Sequence, residues 1–306
     1  MFLDKPHRSS PAGNQRPGPA TLRWGGQGFP EGRPLVMAIV NRTPDSFFDQ
    51  GATFDFDAAL SAVGRAVGAG ADVVDIGGVK AGPGEEVSVA EEVERTAPLV
   101  HAVRARFPTA VVSVDTWRAQ VAEECVDAGA DVINDSWGGV DPGIAEVAAR
   151  RGVGLVCTHA GGQQPRTRPH RVGHDDVVGD VIAATVRLAE RAVTAGVSAD
   201  SIVIDPGHDF GKNTWHSLEL TRRLSELVDT GWPVLVSMSN KDFVGESLDR
   251  PVAERGDGTL AATAIAAWLG ARVFRTHDVR ATRDVVDMAG MIRGTQLPRA
   301  TRRGLA

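Results

Sequence analysis

"AGADVVDIGG" (residues 69–78) and "AGADVINDSWGG" (residues 128–139) are near copies of each other, and this repeated stretch decides the fold. In both, a glycine follows the end of a helical segment, a short strand rich in Val and Ile comes next, and paired glycines make a turn. A glycine directly after a helix is a common stop signal. Helices that alternate with strands are typical of α/β proteins. The repeat therefore predicts a chain built from βα units.

The same alternation continues over most of the chain. The apolar runs show little internal alternation, as in strands covered on both faces. The predicted strands are residues 36–40, 73–76, 111–114, 132–133, 154–157, 202–204, 234–236 and 273–274. Helical spacing separates them, for example at residues 58–70, 89–103, 120–129, 176–195, 217–228 and 260–269. This pattern predicts a closed (β/α)8 TIM barrel. An open doubly wound sheet is the alternative, which is weakened because no G-x-G-x-x-G loop follows the first strand.

The chain divides into three segments. Residues 1–33 are rich in Pro, Gly and Arg without periodicity, which predicts an N-terminal arm, partly flexible, with room for a short hairpin. Residues 34–295 form the predicted barrel, and residues 296–306 form a basic C-terminal tail. No boundary of a second domain is visible within the barrel.

Composition narrows the class of protein. A net charge of −6 disfavours bulk attraction to nucleic acid or to anionic membranes, so any anion site must be local. Cys125 and Cys157 lie in apolar segments and are expected to be buried free thiols. The two lone thiols predict a reducing, cytoplasmic compartment. The chain also has no run of 18 apolar residues and no secretory signal.

Polar side chains stand at the carboxyl end of every predicted strand, where (β/α)8 barrels carry their chemistry. In "SIVIDPGHDFGKN" (residues 201–213), for example, Asp205 follows three buried apolar residues. A single Asp after a strand is often only a helix cap, but a complete set on one rim indicates a site. The set is Asn41, Asp75, Asp115, Asn134, Asp135, His159, Asp205, Ser239, Asn240, Lys241, Arg275 and His277.

This rim separates into two chemical types. Asp115, Asn134 and Asp205 offer carboxylate and amide edges to a flat ring that carries N–H groups and a carbonyl. Lys241, Arg275 and His277, with Asn41, suit phosphate or pyrophosphate. A planar heterocycle with an anionic leaving group fits both halves.

Six motifs carry a family resemblance. "NRTPDSFFDQG" (residues 41–51), "SVDTWR", "INDSWGG", "DPGHDFGK", "SMSNKDF" and "RTHDV" resemble, in order and spacing, the motifs of dihydropteroate synthases. The resemblance covers residues 34–291, most of the chain. It implies a TIM barrel, usually a homodimer, in folate biosynthesis. It also implies a transferase that condenses 6-hydroxymethyl-7,8-dihydropterin pyrophosphate with p-aminobenzoate. Mg²⁺ would bind the pyrophosphate, and the p-aminobenzoate site would also take sulfa-type analogues.

The resemblance also implies residue roles. The pterin would be held by Asp115, Asn134, Asp205 and Lys241. The pyrophosphate would be held by Asn41, Arg275 and His277, with Asn41 also directed to the metal. Ser239, Phe210 and Pro83 would face the second substrate.

Several positions depart from the family pattern. "GGVKAGPGE" (residues 77–85) replaces "GGESTRPGA", so Ala81 and Gly82 stand where the family has Thr and Arg in a loop that closes over the pyrophosphate. Losing an Arg contact to an anion removes roughly 1.5–3 kcal/mol, or roughly tenfold to a hundredfold in affinity. Asn240 replaces another Arg, "THAGGQQP" (residues 158–165) replaces "MHMRG-x-P", and His208 and Asp209 enter a turn that is normally apolar or small.

These departures affect the loop that closes over the pyrophosphate and the site of the second substrate. The residues assigned to the pterin keep the family's residue types. The pattern favours a divergent paralogue with weak or no synthase activity. An active dihydropteroate synthase that tolerates the changes is the first alternative. A pterin-binding methyltransferase is the second, although Arg275 and His277 argue against it. A metal hydrolase built on His159, His170 and His174 is the third, but these residues show no H-x-H or H-E-x-x-H spacing.

Overall fold

The structure is a computed structural model that describes residues 21–43, 54–167 and 172–303. Most of the first family motif, the possible metal ligand His170 and most of the predicted N-terminal arm lie outside these ranges.

The described chain begins with an antiparallel hairpin of β1 (Thr21–Trp24) and β2 (Gln27–Pro30). Eight parallel strands follow, in the order β8-β7-β6-β5-β4-β3-β10-β9, and a parallel bridge between Ile204 and Val234 joins the two ends. The strands are β3 (Leu35–Asn41), β4 (Val73–Gly77), β5 (Val111–Asp115), β6 (Val132–Asp135), β7 (Gly154–Thr158), β8 (Ile202–Asp205), β9 (Leu235–Val236) and β10 (Val273–Thr276). The predicted TIM barrel is therefore confirmed.

Helices cover the outside of the barrel. They are α1 (Phe56–Gly68), α2 (Val89–Arg106), α3 (Ala119–Asp127), α4 (Gly143–Arg151), α5 (Val177–Ala195), α6 (Thr214–Arg222), α7 (Leu224–Val228), α8 (Asp242–Leu248), α9 (Gly256–Leu269) and α10 (Val279–Arg293). Local signals set their ends: the Asp55 side chain accepts from the Ala58 N–H at the start of α1, and Gly196 ends α5 at a φ of 107°.

One predicted helix is divided in two. The helix expected over residues 217–228 is interrupted at Arg223, between α6 and α7. The Arg223 guanidinium binds Glu219, Glu226 and, across the sequence, Asp176. Asp176 is 47 residues from Arg223 along the chain, so the spacing of nearby residues does not reveal this contact.

The inside of the barrel has an apolar floor. Inward side chains of all eight strands form one cluster with Leu22, Trp24 and Phe29 of the hairpin. The Trp24 indole donates to the Ser201 carbonyl at 2.9 Å, so the hairpin is bonded across the amino-terminal end of the barrel. The hairpin falls inside the segment expected to be an arm, and the boundary at residue 33 stays a prediction.

The two cysteines are free and buried, as expected. Burial raises the pKa of the Cys125 thiol to about 12, which removes its reactivity as a thiolate. No helix in the described ranges is both long enough and apolar enough to cross a membrane.

Candidate functional site

Above the apolar floor, the barrel interior is polar and is centred on Asp75. This carboxylate is fully buried and accepts hydrogen bonds from Ser113 Oγ at 2.6 Å and from Asn134 Nδ2 at 3.2 Å. Arg275 Nε donates to it at 2.6 Å. The sequence placed Asp75 at a strand end without a role, and the structure makes it the anchor of the layer that carries the candidate site.

Arg275 links Asp75 to a second carboxylate. Its Nη2 donates to Asp115 Oδ2 at 2.7 Å, so one guanidinium bridges the strands β4, β5 and β10. Burial opposes the charge of Arg275, but Asp75 and Asp115 outweigh it and raise its pKa. Burial also raises the pKa of Asp115 to about 6, against the effect of Arg275. The residue assigned to pyrophosphate therefore lies in direct contact with one assigned to pterin.

Asp205 closes the opposite side of the same interior. Its side chain is buried, and Oδ1 accepts from the Gly207 N–H at 2.7 Å. Gly207 has a φ of 62°, and a Cβ there would lie 2.1 Å from the His159 carbonyl oxygen, so only glycine fits. Burial raises the Asp205 pKa, whereas the charges of Lys241 and Arg275 lower it. A carboxylate at the end of an apolar strand is thus accommodated by a tight turn and two cations.

Lys241 and Phe210 are neighbours, as their shared assignment to the ligand pocket requires. The Lys241 ammonium lies 4.4 Å from the centre of the Phe210 ring, which is cation–π geometry. Burial lowers the pKa of Lys241, and Asp209 and Asp205 oppose this.

The remaining assigned residues divide between the rim and a loop. His277 Nδ1 lies 2.9 Å from Ser239 Oγ, and the His277 N–H donates to the same hydroxyl at 3.3 Å. The Asn41 amide oxygen would meet a Cβ on Gly77 at 3.1 Å, which places it against β4. Pro83 is exposed on the loop after β4. The barrel therefore gathers the strand-end residues, and Pro83 stays at the surface.

Trp117 and Trp137, which form an aromatic wall together with the predicted Phe210, were missed from the sequence. The Trp137 ring packs edge-on against Trp117 at 6.3 Å and against Phe210 at 5.1 Å. Both tryptophans occur in family motifs, two residues after Asp115 and two after Asp135. That position beside rim carboxylates was the available signal.

Lys212 was also missed, although it ends the motif "DPGHDFGK". Its buried ammonium donates to the carbonyls of Phe210 at 2.8 Å, Gly207 at 3.0 Å and His159 at 3.2 Å. It also lies 2.7 Å from His159 Nδ1. Burial lowers the Lys212 pKa to about 7, and burial together with Lys212 lowers the His159 pKa to about 3. Lys212 thereby fastens the loops after β7 and β8 to each other.

Two departures from the family pattern have local structural roles. Asp209 adopts a φ of 68°, and its Oδ2 accepts from the Asp242 N–H at 2.7 Å at the start of α8. Its Oδ1 lies 3.2 Å from Ser217 Oγ. The negative charge that Asp209 adds is therefore hydrogen-bonded within the protein. Asn240 has a φ of 56°, and its carbonyl accepts from Arg255 Nη1 at 2.9 Å.

The loop after β4, which lacks the family's Thr and Arg, is attached to the loop after β7. Arg166 Nε donates to the Gly82 carbonyl at 3.3 Å, and Arg166 Nη1 donates to the Glu85 carbonyl. An arginine thus contacts this segment, but it binds backbone carbonyls and comes from another loop.

A metal centre of histidines and acids is not assembled in the part of the chain that the structure describes. Within those ranges, no group of three or more His, Cys, Asp or Glu side chains is arranged to hold a metal ion. The rings of His159 and His174 lie 6.1 Å apart, and the former contacts Lys212. The described residues therefore give the hydrolase alternative no support.

Comparison with known proteins gives the family. A profile of the pterin binding enzyme family matches residues 37–277. The chain is 58% identical over 278 residues to an inactive dihydropteroate synthase 2 of Mycobacterium leprae, which covers 90% of this chain and 96% of the relative. It is 38% identical over 254 residues to the dihydropteroate synthase of Haemophilus influenzae, which covers 83% of this chain and 92% of that one.

A solved structure agrees with these matches. The crystal structure of Yersinia pestis dihydropteroate synthase in complex with a sulfonamide drug superposes with a TM-score of 0.85 and 38% identity. The match covers 90% of this chain and all of that one. On its motifs, its barrel and these matches, the chain belongs to the pterin binding enzyme family.

Proposed function

We propose that this chain is a divergent dihydropteroate synthase-like protein that binds a pterin in its barrel but has weak or no synthase activity. One observation carries the proposal. Asp115, Asn134, Asp205 and Lys241 lie around one barrel interior, while the loop after β4 offers only Ala81 and Gly82 where the family has Thr and Arg. The name of the Mycobacterium leprae relative, an inactive synthase, supports this interpretation.

The ring half of the site, formed by Asp115, Asn134, Asp205 and Lys241, has both the acceptors and the donors that a flat heterocycle needs. The carboxylates of Asp115 and Asp205 accept hydrogen bonds from ring N–H groups, and the Asn134 amide and the Lys241 ammonium donate to ring nitrogen or carbonyl atoms. These groups come from β5, β6, β8 and the loop after β9. A flat, hydrogen-bonding heterocycle such as a dihydropterin is the ligand class that suits this set.

The anion half is weaker. Arg275, His277 and Asn41 are the candidates for pyrophosphate, but Arg275 already binds Asp75 and Asp115. Its charge is therefore largely neutralised by the protein. Mg²⁺ prefers oxygen ligands and is often held by substrate phosphates, and the amide oxygen of Asn41 is compatible with it. Such a metal would arrive with the substrate and would serve to neutralise the pyrophosphate.

The second substrate, p-aminobenzoate or a sulfa-type analogue, would lie above Phe210 and beside Ser239. Phe210 belongs to the aromatic wall and supplies an apolar surface for the ring. Pro83 is exposed on the loop that lacks the family's Thr and Arg, so the pocket is least complete on that side. We expect this substrate to bind weakly. The cytoplasm as compartment and a homodimer as assembly are part of the same proposal.

Calorimetry with two ligands tests the proposal. The probes are 6-hydroxymethyl-7,8-dihydropterin and its pyrophosphate ester, each with and without Mg²⁺. We expect the alcohol to bind and the ester to gain less than about tenfold in affinity, because the loop arginine is absent. An ester that gains a hundredfold or more with Mg²⁺ would favour the active synthase. A protein that binds neither probe would overturn the proposal.

A restored loop provides the matched control. The double substitution Ala81→Thr with Gly82→Arg should raise the affinity for the ester by roughly tenfold to a hundredfold and leave that for the alcohol unchanged. If the ester gains nothing, the deficit lies with Asn240 and Asp209 instead of the loop.

A further inference from the structure

Thr158 is a polar residue in the barrel interior that no family role covers. It ends β7, and its Cα pairs in register with that of Asp205 on β8. Val156, two residues earlier, belongs to the inward-facing cluster on the barrel floor. Side chains two apart on a strand share a face, so Thr158 also points inward. It is 2% exposed.

The Thr158 hydroxyl has no hydrogen-bond partner among the residues that the structure describes. Gly138 packs on one side of this residue, where a Cβ would lie 3.0 Å from the Thr158 carbonyl oxygen. Gly207 packs on the other, where a Cβ would lie 3.2 Å from the Thr158 methyl carbon. Neither glycine has a side chain that reaches the hydroxyl. A buried hydroxyl without a partner is unfavourable, and native proteins rarely retain one without a reason.

The surroundings indicate what the partner is. Thr158 stands on β7 level with Asp205 of β8, and one inward-facing layer above Val156, the residue that pairs with Asn134 of β6. Asn134 and Asp205 are the amide and one of the carboxylates assigned to the ring. The motif "THAGG" places this threonine where the family's "MHMRG" has its first methionine. The hydroxyl therefore belongs to the divergent part of the sequence and lies within the part of the site that is otherwise kept.

We propose that Thr158 Oγ1 hydrogen-bonds to the bound heterocycle, and that this contact sets the ligand preference of the chain. The inference rests on the proposed pterin pocket and deepens it. The preferred ligand carries a ring nitrogen, N–H or carbonyl on the edge that faces β7. A ligand with an apolar edge there leaves the hydroxyl buried without a partner and binds more weakly.

The test compares Thr158→Val with Thr158→Ser. Valine has nearly the same shape and lacks the hydroxyl, while serine keeps it. Affinity is measured by calorimetry with 6-hydroxymethyl-7,8-dihydropterin, and stability without ligand is measured as Tm. We expect Thr158→Val to bind about fivefold to tenfold more weakly while its Tm stays equal or rises, since the unpartnered group is gone. Thr158→Ser should bind within about twofold of the wild type.

Two further variants complete the design. Thr185→Val is the matched control, because Thr185 is buried in α5 and bonds the Val181 carbonyl, and its loss should not change affinity. Thr158→Ala replaces Thr158→Val if the latter does not fold. Wild-type and valine proteins of equal affinity would overturn the role of Thr158 and leave the pterin pocket standing. A wild type that does not bind the probe overturns the pocket, and the role of Thr158 with it.

Discussion

Arg275 shows how a single residue sets the character of this site. A guanidinium placed between Asp75 and Asp115 balances two charges that burial alone would make costly. The same pairing reduces the charge that it can offer to an anion. We therefore expect the pocket to favour a neutral, hydrogen-bonding ring over a multiply charged tail.

His208 is a buried residue whose protonation makes the stability of the fold depend on pH. It is 1% exposed, stacks on Phe243 and bonds Thr221. Burial, together with the charges of Lys212 and Lys241, lowers its pKa from 6.5 to about 3. At a given pH, His208 therefore binds a proton more readily in the unfolded chain than in the folded chain. The contribution of the neutral ring to the free energy of unfolding is complete above pH 6.5 and is lost as the pH falls towards 3.

Replacing His208 with phenylalanine should remove this loss. At pH 5 a buried histidine of this kind costs about 2 kcal/mol relative to neutral pH. In urea unfolding experiments between pH 7 and pH 5, the free energy of unfolding of His208→Phe should therefore fall by about 2 kcal/mol less than that of the wild type. His101→Phe, at an exposed position of α2, is the control and should lose as much as the wild type. An equal loss of stability in wild type and His208→Phe would contradict a lowered pKa of His208 in the folded chain.

Among the elements, strands were easier to predict than the loops between them. Val-rich runs with Gly turns lie within or beside β3 to β10 because a strand covered on both faces needs continuous apolar sequence. The break at Arg223 and the attachment of two loops by Arg166 depend on side chains that meet only in the folded chain.

The loop after β4 gives a prediction at this scale. Arg166 donates to the carbonyls of Gly82 and Glu85, so its guanidinium should slow the opening of residues 78–88. Arg166→Met keeps the apolar stem and removes the donors. Backbone amides of this loop should then exchange with deuterium about fivefold faster. Arg187→Met, on the exposed face of α5, is the control. Unchanged exchange in Arg166→Met would show that the two carbonyl bonds do not hold the loop.

The candidate site shows the same limit of prediction. Strand-end positions predicted that Asp115, Asn134, Asp205 and Lys241 lie on one rim, since the strands of a barrel end on the same side. The bridge from Arg275 to Asp75 was not predictable, because it depends on side-chain directions across β10, β3 and β4. Trp117 and Trp137 were missed although each follows a rim carboxylate by two residues, because the sequence does not show which way their rings turn.

At the scale of the whole molecule, one side of the barrel carries an apolar surface. Ile265 and Trp268 of α9 are 52% and 55% exposed, and Met288 and Ile292 of α10 are 56% and 63% exposed. These two helices pack against each other, so the four exposed side chains lie on one pair of neighbouring helices, here called the α9–α10 face. A group of large exposed apolar side chains of this kind is typical of a protein–protein contact.

A homodimer through this α9–α10 face is the prediction that follows. Analytical ultracentrifugation should show a dimer for the wild type and a shift towards monomer for Trp268→Lys, because a buried charge without a partner disfavours association. Trp215→Lys is the control, since Trp215 is 79% exposed on α6. A wild type that is monomeric at micromolar concentration, or a dimer that Trp268→Lys leaves intact, would contradict this arrangement.

In the proposed function, ring binding is kept while the transfer reaction is weak or absent. The most direct measurement is pyrophosphate release by the protein saturated with 6-hydroxymethyl-7,8-dihydropterin pyrophosphate, in the presence of Mg²⁺ and p-aminobenzoate. We expect release at or close to the uncatalysed background, although the pterin is bound. Sustained release of many equivalents per protein molecule, with dihydropteroate as the product, would contradict it.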